Sequence, residues 1–271
     1  MTDKAVIAPS LFDAALEQRR TTKRQFVVIG LIVAAAAFWS AWGTDFNIPK
    51  LMFGMPAMYD LGTRMMPPDL SIVPDLMNPL IETLQMALLG TTIPIFIALP
   101  LAFLAAVNTS PNLIVSAVVR VLLGALRTVP ELIWAMILVT AVGLGPFPGV
   151  IALTLHSIGG LGKFYYEAIE ASDKGIIEAM TANGSNRARV ILYGILPNVI
   201  PVMMSSTLFY WEYNNRASTV LGLVGAGGIG LALTHALHDF RYQEVITCLI
   251  LIVLILTVID RISAYLRGRI I

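Results

Sequence analysis

The chain has 271 residues, of which 57% are hydrophobic and only 13% are charged. A soluble domain usually carries about 25% charged residues, so a water-facing surface is excluded over much of the chain and lipid must cover the remainder. The 18 Lys and Arg against 17 Asp and Glu leave no broad basic field for nucleic acid. The single cysteine, Cys248, cannot form an internal disulfide and fits no metal spacing.

Residues 1–25 form a polar lead ending in Arg19, Arg20, Lys23 and Arg24. The apolar run 26–42 that follows predicts a first span. A cleaved signal peptide would have a shorter apolar core and a small-residue cleavage site, and Phe38, Trp39 and Trp42 stand where that site would be. A retained helix with a cytoplasmic N-terminus is expected, with Trp39 and Trp42 at the far interface.

Residues 43–79 carry Pro49, Pro56, Pro67, Pro68 and Pro74 and predict an outer connector with some interfacial helix, so that 26–75 make one unit before a core at 76–271. A second span is expected at 81–107. It contains Pro94 and Pro100, which membrane helices tolerate where neighbours satisfy the freed carbonyls.

Residues 108–128 are amphipathic, with Arg120 and Arg127. A third span is expected at 129–144, broken by Gly-Pro-Phe-Pro-Gly at 145–149, and a fourth at 150–166. The polar stretch 167–196 separates these from a fifth span at 197–213. A glycine-rich segment covers 222–230, residues 234–244 are polar, and a sixth span at 245–259 ends in Asp260, Arg261, Arg267 and Arg269.

With residue 1 inside, the inner segments hold the first four basic residues, Arg120, Arg127, Lys163, Lys174, Arg187, Arg189, Arg261, Arg267 and Arg269, and the outer ones only Lys50, Arg64 and Arg241. The positive-inside rule therefore predicts an all-α, six-helix bundle with both termini in the cytoplasm.

The inner segment at about 167–197 reads as a short helix-turn-helix. Ser172 or Asp173 can cap a first helix. Ile176, Ile177 and Met180 form an apolar stripe at helical spacing. Asn183-Gly184 suits the left-handed turn that ends a helix, and a second segment runs from Ser185 to Pro197. Such an element can rest its apolar face on membrane helices and present a rigid knob to a partner.

Four features carry weaker chemistry. Gly225, Gly227 and Gly230 satisfy G-x-G-x-x-G, but no preceding strand, βαβ unit or following acid supports dinucleotide binding. The glycines instead predict a helix break, either lining a water-filled path or allowing close backbone approach at a subunit interface. Glu212 and Arg216 are spaced i, i+4 and can pair on a helix face. Because charge in a bilayer pairs or lines a cavity, they are either a structural ion pair near the outer interface or part of a path with Asn214, Ser218 and Thr219. His156, His235 and His238 lack the ligand set of a metal site and read as core or interfacial residues. Glu82 and Glu131, near span ends, read as solvated or capping groups, with a contribution to the path as the alternative for Glu131. No Walker sequence, nucleophile elbow or zinc-protease motif is present, so the chain reads as neither an ATPase nor another enzyme.

The polar loop resembles the hallmark of bacterial ABC importer permeases: Glu-Ala-Ala, three residues, Gly, nine residues, Ile, any residue, Leu-Pro. Glu178, Ala179, Gly184, Leu196 and Pro197 match it, Met180 stands for the second Ala, and Gly194 for the Ile. The resemblance implies that this loop couples the chain to a separate ATPase. Residues 211–230, with Glu212-Tyr213-Asn214, Arg216, Ser218-Thr219 and the run from Leu221 to Gly230, look like the phosphonate-importer permeases. So do the Arg127–Leu132, Gly143–Pro146 and His156–Gly159 segments. The resemblance covers roughly residues 80–265.

It implies a type I importer permease fold in the bacterial inner membrane. The implied partners are ABC ATPase subunits using ATP-Mg, an extracytoplasmic phosphonate-binding protein, and a second, identical permease chain. The chain itself would hold no cofactor. The cargo would be a phosphonate or a related phosphorus oxyanion such as phosphate or phosphite. Two rivals follow: a permease of the same superfamily for methionine or another small solute, and an ion-coupled secondary transporter. The latter would show paired broken helices, and the first half of the chain has no counterpart of the glycine-rich break.

Overall fold

The computed structural model describes residues 8–44 and 46–270. The expectation for residues 1–7 lies outside them. Among the described residues there are helices and turns and no strands. The chain divides into two compact units, Met1–Asp60 and Leu61–Ile271.

The first unit contains α1 (Ala8–Gly43) and most of α2 (Ile48–Arg64). Helix α1 starts well before the predicted span, because Ala, Leu, Glu, Gln, Arg and Lys dominate residues 11–25 and all favour a helix. Its apolar stretch Gln25–Gly43 has no buried residue. Pro56 lies inside α2, which also buries nothing.

The second unit opens with a 3-10 turn, Leu70–Ile72, capped by Asp69, whose carboxylate accepts from the Ser71 N–H at 2.9 Å. The hydroxyl and N–H of Ser71 together hold this carboxyl below the usual carboxylate range. Helix α3 (Val73–Ala105) follows without a break through Pro79, Pro94 and Pro100. Its buried face is built of small residues, including Ala87, Gly90, Ala98, Ala102 and Ala105. A methyl group added at Gly90 would lie 2.7 Å from Leu153 Cβ, so α3 closely approaches α6 (Pro146–Glu170). Small residues at helix contacts are the usual means of tight packing in a bilayer, where lipid gives no hydrophobic drive to associate.

Helices α4 (Leu113–Thr128) and α5 (Glu131–Val142) meet at an 80° bend. This corrects the expected third span at 129–144. Helix α5 alone is only about 18 Å long at 1.5 Å per residue, short of a hydrocarbon core of about 30 Å. Pro130 causes the break: it lacks an N–H and disfavours helical backbone in the residue before it, and Val129 is extended at φ −80°, ψ 118°.

Helix α6 is the centre of the unit. Fourteen of its residues are buried, among them Gly149, Ser157, Gly159, Gly160 and Gly162. It is longer than the predicted fourth span, and at about 37 Å it is long enough to cross a bilayer. Length and composition together identify four spanning helices: Gln25–Gly43, Leu70–Ala105, Arg187–Val224 and Tyr242–Ile270. The bent α4–α5 pair raises the number to five. Helix α6 is less apolar than these because its contacts are with protein, and glycine, serine and tyrosine replace leucine there.

After α6 come α7 (Lys174–Ala182), a single helical turn α8 (Arg187–Arg189), a π-helical segment Val190–Ile195, and α9 (Leu196–Leu221). A 3-10 turn at Gly222–Val224 leads to α10 (Gly228–His238) and α11 (Tyr242–Ile270). Helix α10 was not expected. Helix α11 does not end at Asp260 but carries Arg261, Arg267 and Arg269 within it.

Three buried clusters hold the unit together. Ala102, Leu161, Tyr165, Ile195, Val199, Met203 and Tyr210 join α3, α6 and α9. Met86, Ala135, Leu153, Ala217, Leu221 and Ala226 join α3, α5, α6 and α9. Ala105, Val119, Leu123 and Ile158 join α3, α4 and α6.

Candidate functional site

Helix α7 is capped at both ends by the chemistry its sequence suggests. Asp173, rather than Ser172, is the N-cap, and its side chain accepts from the Gly175 N–H at 2.8 Å. At the other end Ser185 N–H donates to Met180 C=O at 3.1 Å and Gly184 N–H to Thr181 C=O at 3.0 Å. These are the paired bonds of a Schellman turn, and Gly184 takes the left-handed conformation the turn requires, at φ +75°.

Ile176, Ile177 and Met180 face inward, whereas Glu178, Ala179 and Gly184 are exposed. The knob thus has one apolar side on the body of the protein and one polar side free. Its base is tied down. The Val107 N–H donates to Glu170 Oε1 at 2.7 Å, Asn108 donates to Ile169 C=O at 2.7 Å, and Arg120 pairs with Glu170. Arg187 bonds to the Ser110 carbonyl.

The other two hallmark residues lie elsewhere. Leu196 and Pro197 form the first turn of α9. Leu196 lines an apolar hollow with Leu99, Tyr165, Met203 and Leu266. The two departures from the hallmark meet each other: a methyl added at Gly194 would lie 2.7 Å from Met180 Sδ. The larger side chain at 180 fills the space that the missing one at 194 leaves.

On α9, the expected Glu212–Arg216 pair does not form. Arg216 makes a two-pronged contact with Asp260 of α11, at 2.9 and 3.0 Å. Glu212 accepts from Arg267 at 2.7 Å and from Ser263. An i, i+4 pair contributes only about 0.3–0.5 kcal/mol, and a two-pronged arginine–carboxylate contact across helices outcompetes it.

Asn214 is fully buried and spans three helices. Its amide donates to Gly90 C=O at 3.1 Å, Thr91 Oγ1 at 2.9 Å and Ser157 Oγ at 3.0 Å. Ser218 is also fully buried and donates to Asn215 C=O, while Thr219 donates to Arg216 C=O. The five α9 positions therefore divide: Glu212 and Arg216 bind α11, Asn214 and Ser218 sit within the packing, and Thr219 caps locally.

The glycine-rich segment supports close approach, within this chain. A methyl at Gly230 would lie 1.9 Å from Thr219 C=O, and one at Gly222 would lie 2.4 Å from Gly230. The chain reverses here onto α10, whose first N–H groups are taken by α3: Gly228 N–H donates to Glu82 at 2.8 Å and Ile229 N–H to Thr83 Oγ1 at 2.8 Å. Glu82 is thus the cap its position suggested. A carboxylate at a helix N-terminus also meets the positive end of the helix dipole.

A further polar group gathers at the α4–α5 elbow, and sequence spacing gave no sign of it as a unit. The Tyr213 hydroxyl bonds to Glu131. His156 stacks on Tyr213 with ring centres 5.7 Å apart, contacts Val129 C=O at 3.2 Å and lies 3.8 Å from Glu131. Tyr210 packs on Gly160, where a methyl would meet its hydroxyl at 1.5 Å, and lies in the electrostatic range of Arg127 and Glu131. Arg127, counted above with an inner segment, is not in a loop. Its backbone packs on Gly159, whose added methyl would lie 2.5 Å from Arg127 N. His235 and His238 are exposed on α10, and among the described residues no three His, Cys, Asp or Glu side chains gather as a metal site.

Residues 98–271 match the family described as binding-protein-dependent transport system inner membrane component. The phosphite transport system permease protein PtxC of Stutzerimonas stutzeri is 48% identical, over 89% of this chain and 86% of that protein. The phosphate-import permease protein PhnE of Mycolicibacterium smegmatis is 42% identical, over 81% of this chain and 42% of that protein. Among solved structures, an inward-facing MetNI methionine ABC transporter superposes with a TM-score of 0.64, covering 75% of this chain and 99% of that one at 20% identity. That likeness is one of fold.

Proposed function

The chain belongs to the family of binding-protein-dependent transport system inner membrane components, and from that premise we propose that it carries phosphite or a related phosphorus oxyanion across the bacterial inner membrane. It is a multi-pass permease subunit and not an enzyme; ATP hydrolysis belongs to a separate subunit. The observation that carries the cargo assignment is the 48% identity to a phosphite permease over 89% of the chain. The methionine alternative has relatives at only 20–23% identity.

The working unit we propose is two permease chains, this one and a copy of it, with two ATPase subunits that use ATP-Mg and an extracytoplasmic binding protein. Both termini would be cytoplasmic, in keeping with the basic residues around α7. The exposed side of α7, with Glu178, Ala179 and the turn at Gly184, would dock on the ATPase. Leu196 and Pro197 would pass its movement to α9. Two features support this: α7 is capped at both ends, so it moves as one body, and its apolar side is anchored to the π-helical segment. ATP can shift the permease between inward- and outward-facing states only by binding the two with different affinity. Along α9, Arg216 and Glu212 with their α11 partners, and Thr219 beside them, border the proposed path, and Asn214 and Ser218 support it from within the packing.

The test is uptake by liposomes holding this chain and its ATPase, with ATP inside and binding protein and labelled phosphite, phosphate or methylphosphonate outside. ATP-dependent uptake of one of these anions is expected. Glu178→Ala together with Gly184→Val should abolish uptake while the permease still purifies intact. Uptake that continues with a hydrolysis-dead ATPase would refute the ATP-driven reading.

A further inference from the structure

Helix α6 contains Gly159 near its midpoint, so whatever packs on Gly159 sits about halfway along the central helix of the core. Arg127 does so through its backbone, and its side chain is exposed. The other arginines that face the bundle have partners: Arg120 pairs with Glu170, Arg216 with Asp260 and Arg267 with Glu212. Among the described residues, Arg127 has neither an ion pair nor a hydrogen bond. Glu131, at the start of α5, makes no ion pair with Arg127 and lies beside Tyr213 and His156.

An unpaired guanidinium at the middle of a bilayer is costly and persists where it faces a partner or a water-filled cavity. The surroundings suit an anion. Tyr210 is seated on Gly160, the residue next to the glycine on which Arg127 packs. Its hydroxyl forms no hydrogen bond among the described residues and can donate one.

We propose that Arg127, at the α4–α5 elbow, is a transient binding residue for the phosphorus oxyanion midway across the membrane, with Tyr210 as the adjacent donor. The inference rests on the transport function proposed above. A guanidinium presents a planar fork of N–H groups that fits the oxygens of such an anion, and a lysine ammonium supplies charge without the fork. One arginine and one hydroxyl make a weak site, as transport requires: the anion must enter and also leave.

The experiment uses the complete reconstituted transporter and compares Arg127→Gln and Arg127→Lys with the unmodified complex. Three quantities are read: uptake of labelled phosphite, ATP hydrolysis stimulated by the loaded binding protein, and the yield of intact complex. Arg127→Gln should lower uptake roughly tenfold or more, the scale of one charged hydrogen bond. Hydrolysis and yield should persist, and Arg127→Lys should recover part of the uptake. Near-normal uptake by Arg127→Gln would overturn the proposal. So would parallel loss of uptake, hydrolysis and yield in both variants, which would make Arg127 a packing residue. If the unmodified complex moves no phosphorus oxyanion while another solute is carried, the cargo assignment falls and this proposal falls with it.

Discussion

Helices α1 and α6 divide the work of a membrane protein in opposite ways. The apolar stretch of α1 reads as a span at once and buries none of its residues. Helix α6 is not among the helices that length and composition identify as spans, and it buries fourteen. The difference follows from the solvent each one meets. A helix surrounded by lipid needs only to be greasy, whereas one surrounded by helices needs to be thin, so that backbones can approach and hydrogen bonds can form between them. Hydropathy therefore finds a lipid-facing helix more readily than one packed among other helices.

Glycine substitutions break this comparison most sharply. Gly159→Val and Gly160→Leu push side-chain atoms into the Arg127 backbone and the Tyr210 ring. We expect each to cost about 3 kcal/mol or more, the upper range of overpacking, and to abolish recovery of intact complex by size-exclusion chromatography. Gly30→Leu in α1 has open space around it and should change thermal stability by less than about 0.5 kcal/mol. Equal damage from Gly30→Leu would show that α1 has a protein partner.

Asn214→Leu comes next. It leaves Gly90 C=O and Ser157 Oγ without their bonds to the amide, and about 2 kcal/mol should be lost in a thermal melt of the purified permease. The contact between Met180 and Gly194 offers a finer test. Gly194→Ile alone should destabilise by about 1–3 kcal/mol. Adding Met180→Ala, which restores the hallmark residues at both positions, should recover at least half of that loss in a double-mutant cycle. Independent, additive effects would mean that the two departures do not compensate each other. Among the residues of the second unit the mildest loss is expected from Glu82→Ala, which removes the cap of α10 at a cost of about 1 kcal/mol and should show as faster hydrogen exchange at Gly228 and Ile229.

The same contrast explains what could be read in the sequence. The two ends of α7 were legible, because Asp173 and Asn183-Gly184 are local signals whose partners lie within a few residues. The spans containing Trp39 and Leu251 were legible because they are long apolar runs. The bend at Pro130 was not read: the expected span at 129–144 ran through that proline, whereas α4 and α5 meet there at 80°. Helix α10 was missed because its glycines and histidines read as loop. The pairing of Glu212 failed as an expectation because better partners lie 51 and 55 residues away on α11. The elbow group had no linear signature as a unit: Arg127, His156 and Tyr213 stand in three separate segments on three helices and gather only through the packing around Gly159 and Gly160.

The cap that Glu82 and Thr83 place on α10 also sets a schedule. Its two hydrogen bonds each join residues 146 positions apart. At about 5–20 residues per second, the ribosome reaches Gly228 on the order of ten seconds after it has made Glu82. Throughout that interval α3 is in place with a carboxylate and a hydroxyl awaiting their donors, and Asn214, the other long-range clasp on α3, has been made only shortly before. Part of the fastening of the first long helix of the core therefore comes late, although α4 and α6 hold it earlier. A chain interrupted before residue 228 would leave a carboxylate without its donor, a mark by which membrane quality control could distinguish an unfinished permease from a complete one.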